Sequence, residues 1–164
     1  MEKLDPKAVW LLFLRLFFRE VVILIPLSLY IFFFLMTGAR AGAIKLLPFL
    51  LGFWIVIFVI LIIDFVWAKL FYQSFHFEIR NKNIYIERGV ILKHYSSIPY
   101  ERIQNIDIRR GISERILGLS SIFIQTAGYS GQKAMAEGSI PGLQPKEAED
   151  FREELLKRVQ GGGI

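Results

Sequence analysis

The chain has 164 residues, a formal net charge of +5, 54% hydrophobic and 21% charged residues and no cysteine, with a mean hydropathy of +0.44. It is too apolar for an average soluble domain and too charged to lie wholly in lipid, so the sequence divides between two solvents. Disulfides, thiolate metal sites and cysteine nucleophiles are excluded, and His76 and His94 stand without carboxylates at ligand spacing, so no metal or cofactor is expected.

Residues 1–20 contain "KAVWLLFLRLFFRE", in which Lys7, Arg15 and Arg19 fall close to one helical face. Two readings stay open: a helix lying in the membrane interface, or an N-terminal extension of a first span with snorkelling arginines. Residues 21–37 are expected to form transmembrane helix 1, on the sixteen uncharged residues at 21–36, which contain Pro26. A short external loop follows at 38–45. Transmembrane helix 2 is expected at 46–68, where eighteen uncharged residues at 46–63 rise about 27 Å against a hydrocarbon core of about 30 Å. Pro48 falls in its first turn, and Trp67 lies just past Asp64 where an interfacial anchor belongs. Asp64 reads as an interfacial carboxylate paired with Lys69 or water, since a proton relay needs more ionisable groups in the spans.

The loop between the spans holds only Arg40 and Lys45, whereas Lys3, Lys7, Arg15 and Arg19 precede them and Lys69, Arg80 and Lys82 follow. The positive-inside rule therefore predicts a multi-pass cell-membrane protein with both termini in the cytoplasm. A cleaved signal peptide ending in "ARAGA" is the competing reading, disfavoured because its basic region is long and apolar and a second apolar run follows at once.

After Lys69 the hydropathy period changes to two, which places a domain at 72–160. Phe75, Phe77 and Ile79 alternate with His76 and Glu78, "NKN" turns the chain, and Ile84 and Ile86 alternate with Tyr85 and Glu87. This predicts a hairpin. Strands are expected at 90–95 and 103–108, then a helical turn in "GISERILG" with Ser113 as N-cap and Gly118 as stop. "SSIFIQTAG" and "KAMAEGSI" supply the last strands. Pro145 opens a helix with acidic residues early, Lys157 and Arg158 late, and one apolar stripe of Ala148, Phe151, Leu155 and Val159, whose available partner is the sheet. Residues 161–164 read as a flexible tail.

Residues 69–115 carry nine Lys/Arg against five Asp/Glu, a local excess of four. A basic juxtamembrane surface is attracted to anionic lipid at about 1 kcal/mol per residue. Arg80, Lys82, Arg88, Lys93, Arg109 and Arg110 are the candidate contacts to lipid or partner. Nucleic acid is not expected, because no recognition helix, RNP-type motif or glycine-rich phosphate loop is present. No serine stands in a nucleophile elbow and the carboxylates fall mostly on an exposed helix face, so no catalytic residue and no enzyme activity are expected.

The stretch from Ile84 to Gly128, with Arg88-Gly89, Ile98-Pro99, Arg102-Ile103, Leu117-Gly118-Leu119 and Thr126-Ala127-Gly128, followed by "SIPGL" and the terminal helix, resembles the second bacterial pleckstrin-homology-like family, the YdbS-like membrane proteins. The resemblance implies a membrane α + β chain: two transmembrane helices followed by a pleckstrin-homology-like split β-barrel capped by a C-terminal helix. It implies a fold and a location more than an activity. The expected function is a non-enzymatic, membrane-anchored interaction or scaffolding module that assembles with itself or with a membrane protein. Anionic-lipid binding or handling is the alternative, with membrane lipids as partners.

Overall fold

A computed structural model describes residues 3–38, 46–126 and 138–161. Most of the expected external loop, the "ARAGA" segment, Ala127-Gly128, the start of "KAMAEGSI" and the last three residues lie outside the described residues. The chain divides into two compact units, one comprising Met1–Leu12 and Ala68–Ile164, the other Phe13–Trp67.

Two long helices open the chain, α1 at Ala8–Gly38 and α2 at Leu46–Ser74. The 8–20 stretch is thus an extension of a longer apolar helix. α1 continues through Pro26, which removes one backbone donor. In the Phe13–Trp67 unit, the Phe13 and Phe65 rings meet edge to face at 5.9 Å. Large apolar side chains such as Val22, Leu29, Phe33, Trp54, Ile55 and Phe58 are exposed. Among the described residues one helix, Leu51–Ser74, is long and apolar enough to cross a membrane. Where two spans were expected, the described residues support one, and they do not support a multi-pass chain with both termini on one side. Asp64 lies in the Leu51–Ser74 helix, three residues before the end of the Phe13–Trp67 unit. It is 8% exposed and its Oδ2 has no hydrogen-bond partner. Among the described residues no ion pair joins it to Lys69.

Among the described residues the other unit holds six strands in two antiparallel sheets. The first sheet runs β1 (His76–Ile79), β2 (Asn83–Arg88) and β3 (His94–Pro99) in that order. The second runs β4 (Ile103–Arg109), β5 (Ser120–Thr126) and β6 (Gly138–Leu143). A 3₁₀ turn at Tyr100–Arg102 connects them. The sheets do not share a ladder, so the barrel is not closed. Inward-facing Phe77, Ile84, Ile86 and Ile98 of the first sheet and Ile106, Ile122, Ile124 and Ile140 of the second form one buried cluster.

β3 begins later than the alternation suggests. Gly89 sits at φ 116, where an added Cβ would strike the Leu92 carbonyl. The chain therefore turns over Gly89 to Lys93, and Arg88 pairs with His94. α3 (Ile112–Leu117) differs too: Gly111 holds the cap position, and Ser113 lies buried in the first turn. That turn packs inward, since buried Glu114 accepts the Ser121 hydroxyl at 3.2 Å.

α4 (Pro145–Gln160) closes the unit as its stripe requires. Ala148, Phe151 and Leu155 are buried, Val159 packs at the rim, and Phe151 meets Phe77 edge to face at 5.5 Å. Its first turn is fastened by the Gln144 N–H, which donates to Glu147 Oε2 at 3.2 Å.

The N-terminal segment belongs to this unit as well. Leu4, Ala8 and Leu11 are buried. The Asp5 N–H donates to the Gly142 carbonyl at 3.2 Å, Gln144 Nε2 donates to Asp5 Oδ2 at 2.9 Å, and Tyr72 Oη donates to the Leu4 carbonyl at 3.3 Å. Gly142, at φ 71, leaves no room for a side chain: a Cβ there would lie 2.4 Å from Ala8 Cβ. Gly142→Ala is therefore expected to cost about 1–3 kcal/mol from backbone strain and overpacking. Thermal unfolding of the purified full chain would check this, with Gln104→Ala on the surface moving stability by no more than about 0.5 kcal/mol. Leu11→Ala, which empties a fully buried site, is expected to cost about 2–4 kcal/mol in the same assay. An unchanged midpoint would mean that the N-terminal segment is not part of the folded core.

Candidate interaction surface

The six cations marked by the sequence fall at three places. Arg80 and Lys82 occupy the β1–β2 turn, Arg88 and Lys93 flank the β2–β3 turn, and Arg109 and Arg110 end β4. The first two places lie at opposite ends of β2, separated by about 17 Å of strand. One gathered basic pocket is thus not what the first sheet builds.

Each place has its own chemistry. Arg80 Nε lies 2.8 Å from Glu78 Oε2, and its guanidinium sits 4.3 Å above the Tyr85 ring centre. The hydrogen bond from Arg80 holds the Glu78 carboxyl below its ordinary pKa. Tyr100 Oη donates to the Arg80 carbonyl at 2.6 Å, so the turn is braced from the core side. Lys82 is exposed and joins no ion pair among the described residues. Lys93 Nζ lies 2.7 Å from Glu87 Oε1, a hydrogen bond that raises the lysine above its ordinary pKa. Arg109 reaches Asp107 at 3.3 Å and lies 4.8 Å from the Phe123 ring centre. Arg110 Nε donates to the Leu119 carbonyl at 3.2 Å. Such exposed pairs add little to stability, being screened and costly in side-chain entropy. Their effect is to order the side chains on the surface.

Strand alternation supplies residues that the charge pattern alone does not mark. With Ile84 and Ile86 inward, Asn83, Tyr85 and Glu87 face outward, and β3 adds Tyr95 and Ser97. Tyr85 and Tyr95 are diagonal neighbours across the ladder, where aromatic rings can touch. Their rings stack at 6.3 Å with 22° between planes. The outer face of the first sheet is therefore an ordered row: Arg80 on Tyr85, Tyr85 on Tyr95. The period-two pattern held the signal, but the register that makes Tyr85 and Tyr95 neighbours depends on where the Gly89 turn ends.

Among the described residues, no group of three or more His, Asp or Glu comes together as a metal site would require. The buried polar groups Ser113, Glu114, Ser120 and Ser121 stand around the base of α3, where Glu114 and Ser121 hydrogen-bond to each other.

Comparison with known proteins agrees with this architecture. A stretch of 74 residues, 45% of this chain, is 32% identical to the UPF0699 transmembrane protein YdbT of Bacillus subtilis (strain 168). The match covers only 15% of that protein's length. No solved structure matches. The family described as bacterial PH domain matches residues 15–159, which takes in most of α1, all of α2, both sheets and nearly all of α4. The chain belongs to the bacterial PH domain family.

Proposed function

We propose that the protein is a non-enzymatic, membrane-anchored interaction module of YdbS-like type, whose β unit assembles with another copy of itself or with a membrane protein. The observation that supports this most is the Arg80–Tyr85–Tyr95 row on an otherwise polar sheet face. Tyrosine and arginine carry a disproportionate share of binding energy at protein interfaces, because they offer large, stiff contact area with a polar end. Here the rings and guanidinium are already stacked, so little rotamer freedom remains to be lost on binding. The excess of cations in residues 69–115 supports placing this unit on the cytoplasmic side of the span.

The mass of the complex extracted from native membranes in detergent or nanodiscs tests the proposal. A homo-oligomer of defined size, or a stable second membrane protein, is expected. A lone monomer would overturn it. Within such an assembly, Tyr85→Ala and Tyr95→Ala are each expected to cost about 2 kcal/mol of association, roughly 30-fold in affinity, with folding retained.

Anionic-lipid binding is the second reading, favoured by exposed, unpaired Lys82 beside Arg80. If it holds at that turn, charge reversal through Arg80→Glu and Lys82→Glu should strip co-purifying acidic lipid from the full chain. Retention of the same lipid by the double variant would remove these two residues from consideration.

A further inference from the structure

Strand register sorts the β unit into two ends. His76 pairs with Glu87 and Ile79 with Ile84, so the β2–β3 turn lies at the sheet end where β1 begins, one residue after Ser74 closes α2. The β1–β2 turn with Arg80 and Lys82 lies at the other end. In the second sheet, Arg109 pairs with Ser121 and Ser120 with Leu143, so α3 lies at the end that holds Gly142 and, packed on it, Ala8 at the start of α1. α4 joins the two sheets in one frame: Gln144 at its start bonds Asp5, and Arg158 near its finish reaches the Arg80 carbonyl. The β2–β3 turn and α3 therefore share the end at which the chain leaves for and returns from its long apolar helices.

That end also carries the unit's exposed aliphatic side chains. Leu92 is 85% exposed, Ile91 77%, Ile112 76% and Ile116 65%. Elsewhere the described strands and α4 keep their large aliphatic residues covered. Gly89 shapes the turn that lifts Ile91 and Leu92 out, and the inward packing of Ser113 and Glu114 turns Ile112 and Ile116 outward on α3. Arg88 and Lys93 flank the first tip, and Arg109, Arg110 and Arg115 flank the second. Arg88 and Arg115 join no ion pair among the described residues. Aliphatic side chains ringed by cations suit the boundary between acyl chains and anionic headgroups.

We propose that the β unit docks on an anionic bilayer surface through these two apolar tips, Ile91–Leu92 and Ile112 with Ile116, and not through the Arg80–Lys82 turn. The occupant is lipid because the tips lie at the end of the unit from which a candidate membrane span departs, and because their surroundings are cationic. This leaves the Tyr85–Tyr95 face available and goes beyond the assembly reading.

Since the chain has no native cysteine, the test uses single-cysteine full chains, Leu92→Cys, Ile116→Cys and Lys82→Cys. Each carries an environment-sensitive fluorophore and is reconstituted into vesicles of phosphatidylcholine with or without phosphatidylglycerol. In anionic vesicles the probes at positions 92 and 116 are expected to shift to the blue and to be quenched severalfold more by spin-labelled lipid than the probe at 82. Equal, water-like signals at all three positions in both compositions would overturn the proposal. So would probes at 92 and 116 that are shielded from water yet unquenched by lipid and crosslink between copies, an outcome that assigns the tips to self-assembly. In the Leu92→Cys chain, adding Ile112→Glu and Ile116→Glu should lower lipid quenching severalfold if both tips form one docking face. Undiminished quenching would reject the two-tip surface, and unchanged thermal unfolding of the variant would show that the fold is intact. A monomeric mass would count against the assembly reading without bearing on this one.

Discussion

The contact on which the β unit depends is the seating of the first residues of the chain in its core. Leu4 and Ala8 are buried together with side chains contributed from the far end of the sequence, and Gly142 exists as a glycine because Ala8 stands where its side chain would be. Burial of apolar surface is the main source of folding free energy, and a small domain with an open pair of sheets has little to spare. Closing the core with a segment that continues as α1 means that the β unit is completed by the same helix that departs from it. The last turns of α2 do likewise, with Ala68 buried and Phe71 and Tyr72 packed at the core's edge.

The two sheets, fixed in a common frame by α4, divide their surface chemistry. One end carries aliphatic tips and cations, and the outer face of the first sheet carries stacked tyrosines and arginine. The separation of Arg80 and Lys82 from Arg88 and Lys93 follows from β2 alone, because a turn at each end of a six-residue strand cannot face the same headgroup. Asp64 stands apart from this division, buried in the apolar helical unit with an oxygen that no described residue satisfies.

Much of this could be read from residue pattern. The eighteen uncharged residues at 46–63, the alternation through β1 and β2, the stripe of α4 and the glycine after "RIL" each report local chemistry, and local chemistry decides whether a segment is helix, strand or turn. The misreadings came where two local signals competed. "VILKHY" carries a strand pattern, but Gly89 puts the turn inside it. Ser113 is a good N-cap by type, yet Glu114 and Ser121 draw it into the core. The first apolar run suggested a second span from composition, whereas among the described residues one helix, in α2, is long and apolar enough to cross a membrane.

Composition and periodicity were enough to show that the chain divides between lipid and water, that an antiparallel β unit with a capping helix follows an apolar helix, and that its cations crowd the segment after the span. These properties depend on near neighbours along the chain, whose spacing is written in the residue order. Which cations share a place, that Tyr85 meets Tyr95, that Leu4 and Ala8 complete a core made by residues more than sixty positions away, and that two apolar tips lie at one end were settled only by tertiary structure. Each follows from strand register and long-range packing, which depend on how distant segments fill a common volume and leave no periodic mark in the sequence.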